Sequence, residues 1–321
     1  MHRRWLFLLI VTLVLAPALV GCQQSSPQAV TIAMGFVPNV QFAPVYVALE
    51  KGYFAEAGLD VMLDYGSETD LLQRVGAGDL NYAIASGDQV VLARANGLPV
   101  RYVANWYRRF PVCVVSLAEA GIETPADLVG KTVGVPVLSG ASYIGWLAFA
   151  EEVGLDSTSV NLQAIGYTQM ASLTEKRVDA AVCYAMNEPV QLATAGTKIN
   201  VFYLDEYTGL VSNGIITSDQ VIADRPEEVR GVVTAFLKGL AYTNEHPDEA
   251  FDIVRKNIPE MDDETAALQR AVLDECIRFW QADRLGYSDP AMWAESVALM
   301  QRLGLVGEIE PTDLYSNEFI P

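Results

Sequence analysis

Aromatic and polar residues are concentrated in segments of this sequence that have the composition of loops. Rings on two sides of a cleft can sandwich a flat heteroaromatic ring, and each stacked pair adds about 0.5–1.5 kcal/mol to the energy of area burial. Polar side chains beside them can pair with the nitrogens, carbonyls and hydroxyls of such a guest, because an unpaired buried polar group costs about 1–3 kcal/mol. The pattern predicts noncovalent recognition of a flat molecule. The aromatic candidates are Phe36, Phe42, Trp106, Tyr107, Tyr143, Tyr167 and Tyr184, and the polar candidates are Asn39, Ser86, Asp88, Ser139, Asn187 and Glu188.

Each candidate also has a purely structural interpretation. Any one of the aromatic side chains can instead belong to the core, as we expect for Tyr46, Tyr53 and Phe54. Asp88 and Glu188 can equally cap the helices predicted to start beside them, because a carboxylate accepts hydrogen bonds from the free amides of a first turn. The sequence leaves these alternatives open.

Histidine and metal chemistry have few residues to use. The chain contains two histidines: His2 lies in the N-terminal leader, and His246, followed by Pro247, is predicted to end a helix. The absence of a Cys/His cluster argues against a zinc site and a histidine-based triad. An enzyme that uses Asp88 or Glu188 as acid or base is disfavoured because neither has a histidine partner. We predict that the protein is not an enzyme and has no cofactor and no metal.

Anion binding is an alternative to the aromatic sandwich. Arg108 and Arg109 could grip a sulfonate or phosphate through paired hydrogen bonds, although adjacent side chains point in different directions. Ser139 and Gly140 precede a predicted helix, whose free backbone amides suit a carbonyl or an oxyanion. The sequence has no glycine-rich phosphate loop of known spacing at these positions.

The elements that position these residues alternate between β-type and helical runs from residue 30 to residue 204, and the chain is helical from Pro226 onward. This alternation predicts βαβ units and parallel sheets. Two β-type runs without helices of their own, near 111–118 and 205–218, interrupt it. We therefore predict an α/β fold of two lobes with a hinge of two β-type crossings. A single-domain enzyme with the same element order is the alternative.

The predicted organisation places a signal peptide at residues 1–21 and a tether at 22–29. Lobe 1 comprises residues 30–112 and 216–321, including a helical C-terminal tail, and lobe 2 comprises residues 113–215. Ligands of open α/β sheets bind beyond the carboxyl ends of the strands. The candidate residues follow those ends, so we expect them to face each other across a cleft that can close about the crossings.

The N-terminal leader predicts export. Arg3 and Arg4 precede an apolar run, Trp5–Val20, that ends in the sequence LVGC at Cys22. This ending resembles a bacterial lipobox, in which the cysteine is lipidated, and the run is shorter than the roughly 20 residues of a membrane span. An uncleaved anchor helix is the alternative. The polar segment QQSSPQ that follows is typical of a flexible tether. We expect a protein outside the cytoplasm, anchored to the cell membrane through lipidated Cys22.

Composition and charge narrow the possible partners. The chain is 51% hydrophobic and 19% charged, with a formal net charge of −19, which is typical of a globular protein. An acidic surface repels phosphate backbones and therefore argues against nucleic acid. We favour three buried free thiols at Cys113, Cys183 and Cys276, with one disulfide and one free thiol as the alternative. We expect a monomer that binds a small molecule.

Several motifs resemble one family of solute-binding proteins, which take up thiamine-type pyrimidines, riboflavin or alkanesulfonates. The similarity covers about residues 30–240. The resemblance implies a periplasmic-binding-protein-like type II fold, with an ABC permease and its ATPase as partners. The matching motifs are FVPN at 36–39, APVYVA at 43–48, KGYF at 51–54, GLDV at 58–61, LVGKTVGV at 128–135, and Tyr184 with the NEP of 187–189.

Within this family, the chain is most similar to the riboflavin-binding lipoproteins. The pyrimidine binders and their synthase relatives usually carry Trp-x-Pro-Asn followed by histidine, whereas this chain has Phe36 at the tryptophan position and Phe42 near that of the histidine. It also lacks the cysteine-rich motif of the synthases. The resemblance therefore implies capture of riboflavin and its delivery to the permease. A pyrimidine precursor of thiamine is the alternative, and an alkanesulfonate-type anion is less favoured.

Overall fold

The computed structural model describes residues 27–258 and 261–321. Within these residues, ten strands form two five-stranded sheets. The strands are β1 Gln28–Met34, β2 Leu59–Tyr65, β3 Tyr82–Ser86, β4 Val100–Asn105, β5 Val112–Leu117, β6 Thr132–Val135, β7 Asn161–Ala164, β8 Ala180–Tyr184, β9 Ile199–Tyr203 and β10 Asn213–Ser218.

Helices cover both sheets, and polar caps or prolines fix where many of them begin. Ser67 accepts a hydrogen bond from the Asp70 amide at the start of one, and Pro226 opens the longest. The helices are α1 Ala43–Glu50, α2 Tyr53–Glu56, α3 Glu68–Ala77, α4 Gly87–Ala95, α5 Gly140–Glu152, α6 Gln169–Thr174, α7 Glu188–Thr194, α8 Asp219–Asp224, α9 Pro226–Glu245, α10 Pro247–Asn257, α11 Asp263–Trp280 and α12 Pro290–Arg302.

The first sheet has the order β2-β1-β3-β10-β4. Strand β1 is parallel to β2 and β3, whereas β10 is antiparallel to β3 and β4. The second sheet has the order β7-β6-β8-β5-β9, with β6 parallel to β7 and β8 and with β5 antiparallel to β8 and β9. Two mixed sheets with helices confirm the predicted α/β fold of two lobes.

The chain passes between the sheets at the two predicted β-type runs, but the strands begin earlier than expected. Strand β5 begins at Val112 and β10 begins at Asn213, so the predicted boundaries at 112/113 and 215/216 fall inside strands. The N-terminal boundary also shifts. Gln28 belongs to β1, and its amide donates to the Gly58 carbonyl at 2.9 Å. The predicted tether is therefore two residues too long, and its residues 22–26, with the leader and Cys22, lie outside the described part.

One helix that the sequence predicts as continuous is interrupted in the structure. The sequence predicts a single helix over residues 44–56, but α1 ends at Glu50 and α2 begins at Tyr53. Between them Gly52 has φ +75°, a left-handed conformation that glycine adopts at little cost. The interruption turns the chain, and Phe54 is buried as expected.

The helical C-terminal part packs on the first lobe. The apolar stripe of α9, predicted from its spacing, is buried at Val229, Val232, Val233, Phe236 and Leu240, and α9 packs against α1 and α2. Burial of such a stripe supplies most of the stability of a surface helix.

The three described cysteines, Cys113, Cys183 and Cys276, are free and buried, as favoured from the sequence. Across residues 27–258 and 261–321, we find no helix with the length and apolar content that crossing a bilayer requires.

Strand β10 packs so closely in the first sheet that it has no room for a side chain at its second residue. A Cβ on Gly214 would lie 2.1 Å from Tyr102 Cζ and 2.3 Å from the Ala104 carbonyl oxygen. We expect Gly214→Ala to lower the free energy of unfolding by about 1–3 kcal/mol, the usual cost of overpacking, in urea titrations. Gly307→Ala is the control, because a Cβ there meets nothing within 4 Å. Equal midpoints for the two variants would contradict this packing.

Candidate ligand-binding site

The carboxyl ends of the first sheet's parallel strands hold a cluster of polar side chains. Glu68 begins α3 just after β2, Ser86 ends β3, and Asn213 begins the antiparallel β10 at the same edge. Ser86 Oγ donates to Glu68 Oε2 at 2.9 Å, and Asn213 Nδ2 donates to Glu68 Oε1 at 3.0 Å. One carboxylate therefore joins the ends of three segments.

Gly35 leaves the space that the Glu68 side chain needs to contact Ser86 and Asn213. It follows β1, which lies between β2 and β3, so the Glu68 side chain must pass over it. A Cβ on Gly35 would lie 2.7 Å from Glu68 Cγ and 2.6 Å from the Ile84 carbonyl oxygen. Only a glycine leaves space here for the crossing carboxylate.

Asp88, in the first turn of α4, is the second acid of this cluster. Its side chain is fully buried. Oδ2 accepts a hydrogen bond from Gln89 Nε2 at 2.7 Å, but Oδ1 has no hydrogen-bond partner in the described part of the chain. The free amides of the α4 first turn favour a carboxylate at this point. Asp88 therefore presents one unsatisfied acceptor in the site.

Burial shifts the ionisation of both acids. Burial, reinforced by the nearby Asp88 charge, raises the pKa of Glu68 to about 8. Burial also raises the pKa of Asp88 to about 6, against the opposing effect of the hydrogen bond from Gln89. Burial therefore favours a proton on this pair of acids near neutral pH, so the pair can act as a donor as well as an acceptor.

Three contacts join the two lobes above this cluster. The Phe36 and Tyr167 rings meet edge to face, with centroids 5.8 Å apart. Gln41 Nε2 donates to Asn187 Oδ1 at 2.7 Å, and Tyr184 OH lies 3.4 Å from Asn213 Oδ1. The structure thus brings together residues from both sides of the cleft.

The remaining candidates at this edge differ in their accessibility. Tyr167 is 70% exposed, and Phe36 and Tyr184 are half-buried. Asn39 accepts a hydrogen bond from the Gln41 amide and so shapes the loop that carries Gln41. Glu188 is half-buried in the first turn of α7, and burial raises its pKa. Its Oε2 has no partner in the described residues.

Two aromatic candidates lie in the core. Trp106 is 2% exposed and Tyr107 is 3% exposed. The Trp106 ring contacts Tyr107, Phe236 and Trp280 at centroid distances of 5.3, 5.3 and 5.5 Å. The expectation that both rings face the cleft is therefore wrong for this structure, because the C-terminal helices α9 and α11 cover them. Phe42 is buried as well, with its centroid 6.1 Å from that of Trp106.

The candidates on the α5 side do not meet the polar cluster in any hydrogen bond of the described part. Ser139 is exposed and precedes α5 without a side-chain cap, and Tyr143 is half-buried against the core. The two arginines are engaged elsewhere. Arg109 Nε donates to Asp205 Oδ2 at 2.5 Å, and Arg108 contacts Met292. They line a hollow of about 510 Å³ formed by the two crossing segments and α12.

Sequence reasoning missed Glu68, Asn213 and Gln41. The rule that ligands bind after parallel strands also applies to the loop after β2, and it would have included Glu68. Asn213 is a polar residue inside an otherwise apolar β-type run, which is a detectable anomaly. Gln41 lies between the candidates Asn39 and Phe42, but its side chain was not among the candidates.

No group of three or more Asp, Glu, His or Cys side chains suitable for a metal ion occurs among residues 27–258 and 261–321. His246 ends α9 with its ring 4.4 Å from that of Tyr242. The cluster itself consists of carboxyl, amide and hydroxyl groups, which are donors and acceptors of hydrogen bonds.

The raised pKa of Glu68 predicts that stability falls with pH. Between the ordinary value of 4.5 and about 8, the folded state holds a proton that the unfolded state has lost, so the free energy of unfolding decreases as pH rises. We expect wild type to lose at least about 1.4 kcal/mol more than Glu68→Gln between about pH 6 and pH 9, since one pKa unit corresponds to this energy. Urea titrations at each pH measure it. Glu308→Gln, at an exposed position, is the control, and superimposable pH curves for wild type and Glu68→Gln would refute the assignment.

Comparisons with known proteins extend this description. The chain is 41% identical over 307 residues to the riboflavin-binding protein RibY of Chloroflexus aurantiacus, an alignment that covers 93% of this chain and 88% of that protein. It is 33% identical to the formylaminopyrimidine-binding protein of Halalkalibacterium halodurans, covering 78% and 79% of the two chains.

The fold has solved counterparts. The periplasmic aliphatic sulphonate binding protein SsuA of Escherichia coli superposes with a TM-score of 0.72 at 15% identity, covering 88% of this chain and 95% of that one. This likeness confirms the periplasmic-binding-protein-like fold. The family described as NMT1/THI5 like matches residues 39–250. The protein therefore belongs to the NMT1/THI5-like family.

Proposed function

We propose that this protein captures riboflavin in the cleft between its lobes and delivers it to an ABC permease and its ATPase. The observation that carries the proposal is the 41% identity to a riboflavin-binding protein over nearly the whole of both chains. The aromatic contact of Phe36 with Tyr167 and the hydrogen-bonding groups of Glu68, Ser86 and Asn213 support a ligand of this kind.

The contact between Phe36 and Tyr167 supports a flat ligand. Their rings come from loops on opposite sheets and touch only edge to face. A small rotation of one lobe would separate them and admit an isoalloxazine ring, which stacks more favourably than an edge contact of two small rings. Each such aromatic pair contributes about 0.5–1.5 kcal/mol beyond area burial. The exposed Tyr167 ring would then gain burial on binding.

Delivery requires that the protein be placed outside the cytoplasm. The basic and apolar leader and the cysteine at position 22 support export and lipid anchoring, which would hold the protein at the membrane surface beside its permease. Interlobe contacts such as Gln41 to Asn187 would be made and broken as the lobes close and open. We expect the protein to act as a monomer.

We also propose that the protein binds its ligand without converting it. The cleft cluster contains carboxylates, amides and hydroxyls but no histidine in the described part, and His246 is engaged at the end of α9. Bound riboflavin should therefore be released unchanged.

A pyrimidine precursor of thiamine is the second candidate ligand. The 33% identity to a formylaminopyrimidine-binding protein favours it. Phe36 and Phe42, in place of the tryptophan and histidine usual in pyrimidine binders, make it less favoured than riboflavin. A sulfonate is least favoured, because Arg109 is paired with Asp205 and Arg108 contacts Met292.

Removing one aromatic face should weaken riboflavin binding without unfolding the protein. We expect Tyr167→Ala and Phe36→Ala each to cost about 1–3 kcal/mol of binding free energy, the range of well-packed aromatic contacts, in titrations that follow quenching of riboflavin fluorescence. Tyr167 is exposed, so its loss should leave the unfolding midpoint unchanged.

The matched control for this test is Val129→Ala. Val129 is 58% exposed and precedes β6 at the edge opposite the cleft. Its affinity should equal that of wild type. Wild-type affinity in both aromatic variants would contradict the sandwich, and an absence of quenching with wild type would contradict riboflavin as the ligand.

A further inference from the structure

We propose that Glu68 and Asp88 make the cleft select an uncharged, hydroxyl-bearing solute and reject the phosphorylated form of the same molecule. This inference rests on the proposed function, because it assigns the selectivity of the same cleft. For a flavin, it means that riboflavin binds and riboflavin 5′-phosphate (FMN) does not.

The hydrogen bonds of the cluster leave one buried acceptor oxygen without a donor among the described residues. Both oxygens of Glu68 already accept hydrogen bonds, from Ser86 and Asn213. Asp88 Oδ1 is buried and has no partner among the described residues. A buried acceptor of this kind requires a donor, and a hydroxyl or N–H group of a ligand can supply it. A fully ionised phosphate cannot, because its oxygens only accept.

The electrostatics of the cluster point the same way. Neither carboxylate has a lysine or arginine among the groups that shift its ionisation. Arg108 and Arg109, which follow β4, are directed to Met292 and Asp205, and Arg101 within β4 pairs with Asp219. A phosphate placed here would therefore meet negative charge without a counterion, and like charges in a buried site are strongly unfavourable.

A proton on the pair of Glu68 and Asp88 also favours an uncharged ligand group over a phosphate. Burial raises the pKa of Glu68 to about 8 and that of Asp88 to about 6. Near neutral pH the pair therefore carries about one proton, so it presents one donor and one acceptor. Tyr184, the titratable side chain that faces the pair from the second lobe, stays neutral because burial raises its pKa as well. A ligand hydroxyl can donate to the unpaired Asp88 Oδ1, which a phosphate dianion cannot do.

The test compares riboflavin with FMN, which share the ring and the ribityl chain and differ by one phosphate. We expect wild type at about pH 7 to bind FMN at least about 10-fold more weakly than riboflavin, as like-charge juxtaposition predicts. Asp88→Asn, which removes the charge that the pair carries near neutral pH, should bring the two affinities closer, whereas Glu68→Gln, which imitates a protonated carboxyl, should leave their ratio close to that of wild type. Asp60→Asn removes an exposed charge from the first residues of β2 and should leave the ratio unchanged.

Two results would overturn the inference. One is equal binding of riboflavin and FMN by wild type; the other is an unaltered ratio in Asp88→Asn, when circular dichroism shows that this variant is folded. If Asp88→Asn does not fold, the wild-type comparison still decides.

A parallel titration separates this inference from the proposed function. It uses 4-amino-5-hydroxymethyl-2-methylpyrimidine and its phosphate. If riboflavin fails to bind but the pyrimidine alcohol binds and its phosphate is rejected, riboflavin is wrong as the ligand and the selectivity stands. If none of the four compounds binds, both the function and the selectivity are overturned.

Discussion

The pairing of β10 with β3 and β4 determines both how the first sheet is completed and where Asn213 lies. The strand that returns the chain to the first lobe lies antiparallel at an interior position of that lobe's sheet, between β3 and β4. Its first residue, Asn213, is thereby fixed at the cleft edge, where it binds Glu68. The same strand therefore completes the sheet, forms one of the two crossings and contributes to the site.

Much of this architecture could be predicted from the sequence, because it depends on local patterns. Alternating β-type and helical runs predict two α/β lobes, and the two runs without helices predict the crossings. The boundaries were less accurate, since hydrogen bonding to a distant strand decides where a strand begins. Gln28 joins β1 because its amide donates a hydrogen bond to the Gly58 carbonyl, and no local feature of the sequence predicts that bond. Gly52, by contrast, separates α1 from α2 through its own left-handed backbone conformation. The amino-acid composition of this segment does not show that Gly52 adopts it.

The site was harder to predict, because its residues meet through the fold. Glu68 and Asn213 are 145 positions apart in the chain, yet they share a hydrogen bond. Trp106 follows β4 as the ligand rule requires, but α9 and α11 cover it with Phe236 and Trp280. Nothing near Trp106 in the sequence indicates that cover. The contacts of Phe36 with Tyr167 and of Glu68 with Asn213 likewise join residues that are distant in the sequence.

Hydrogen–deuterium exchange of the protein with and without riboflavin tests the central claim most directly, because it locates the ligand on both lobes at once. We expect slower exchange at backbone amides of 35–42 in the first lobe and of 165–170 and 184–188 in the second, in the same complex. Slower exchange confined to one lobe, or centred on the hollow at 108–110 and 205–209, would contradict capture between the lobes.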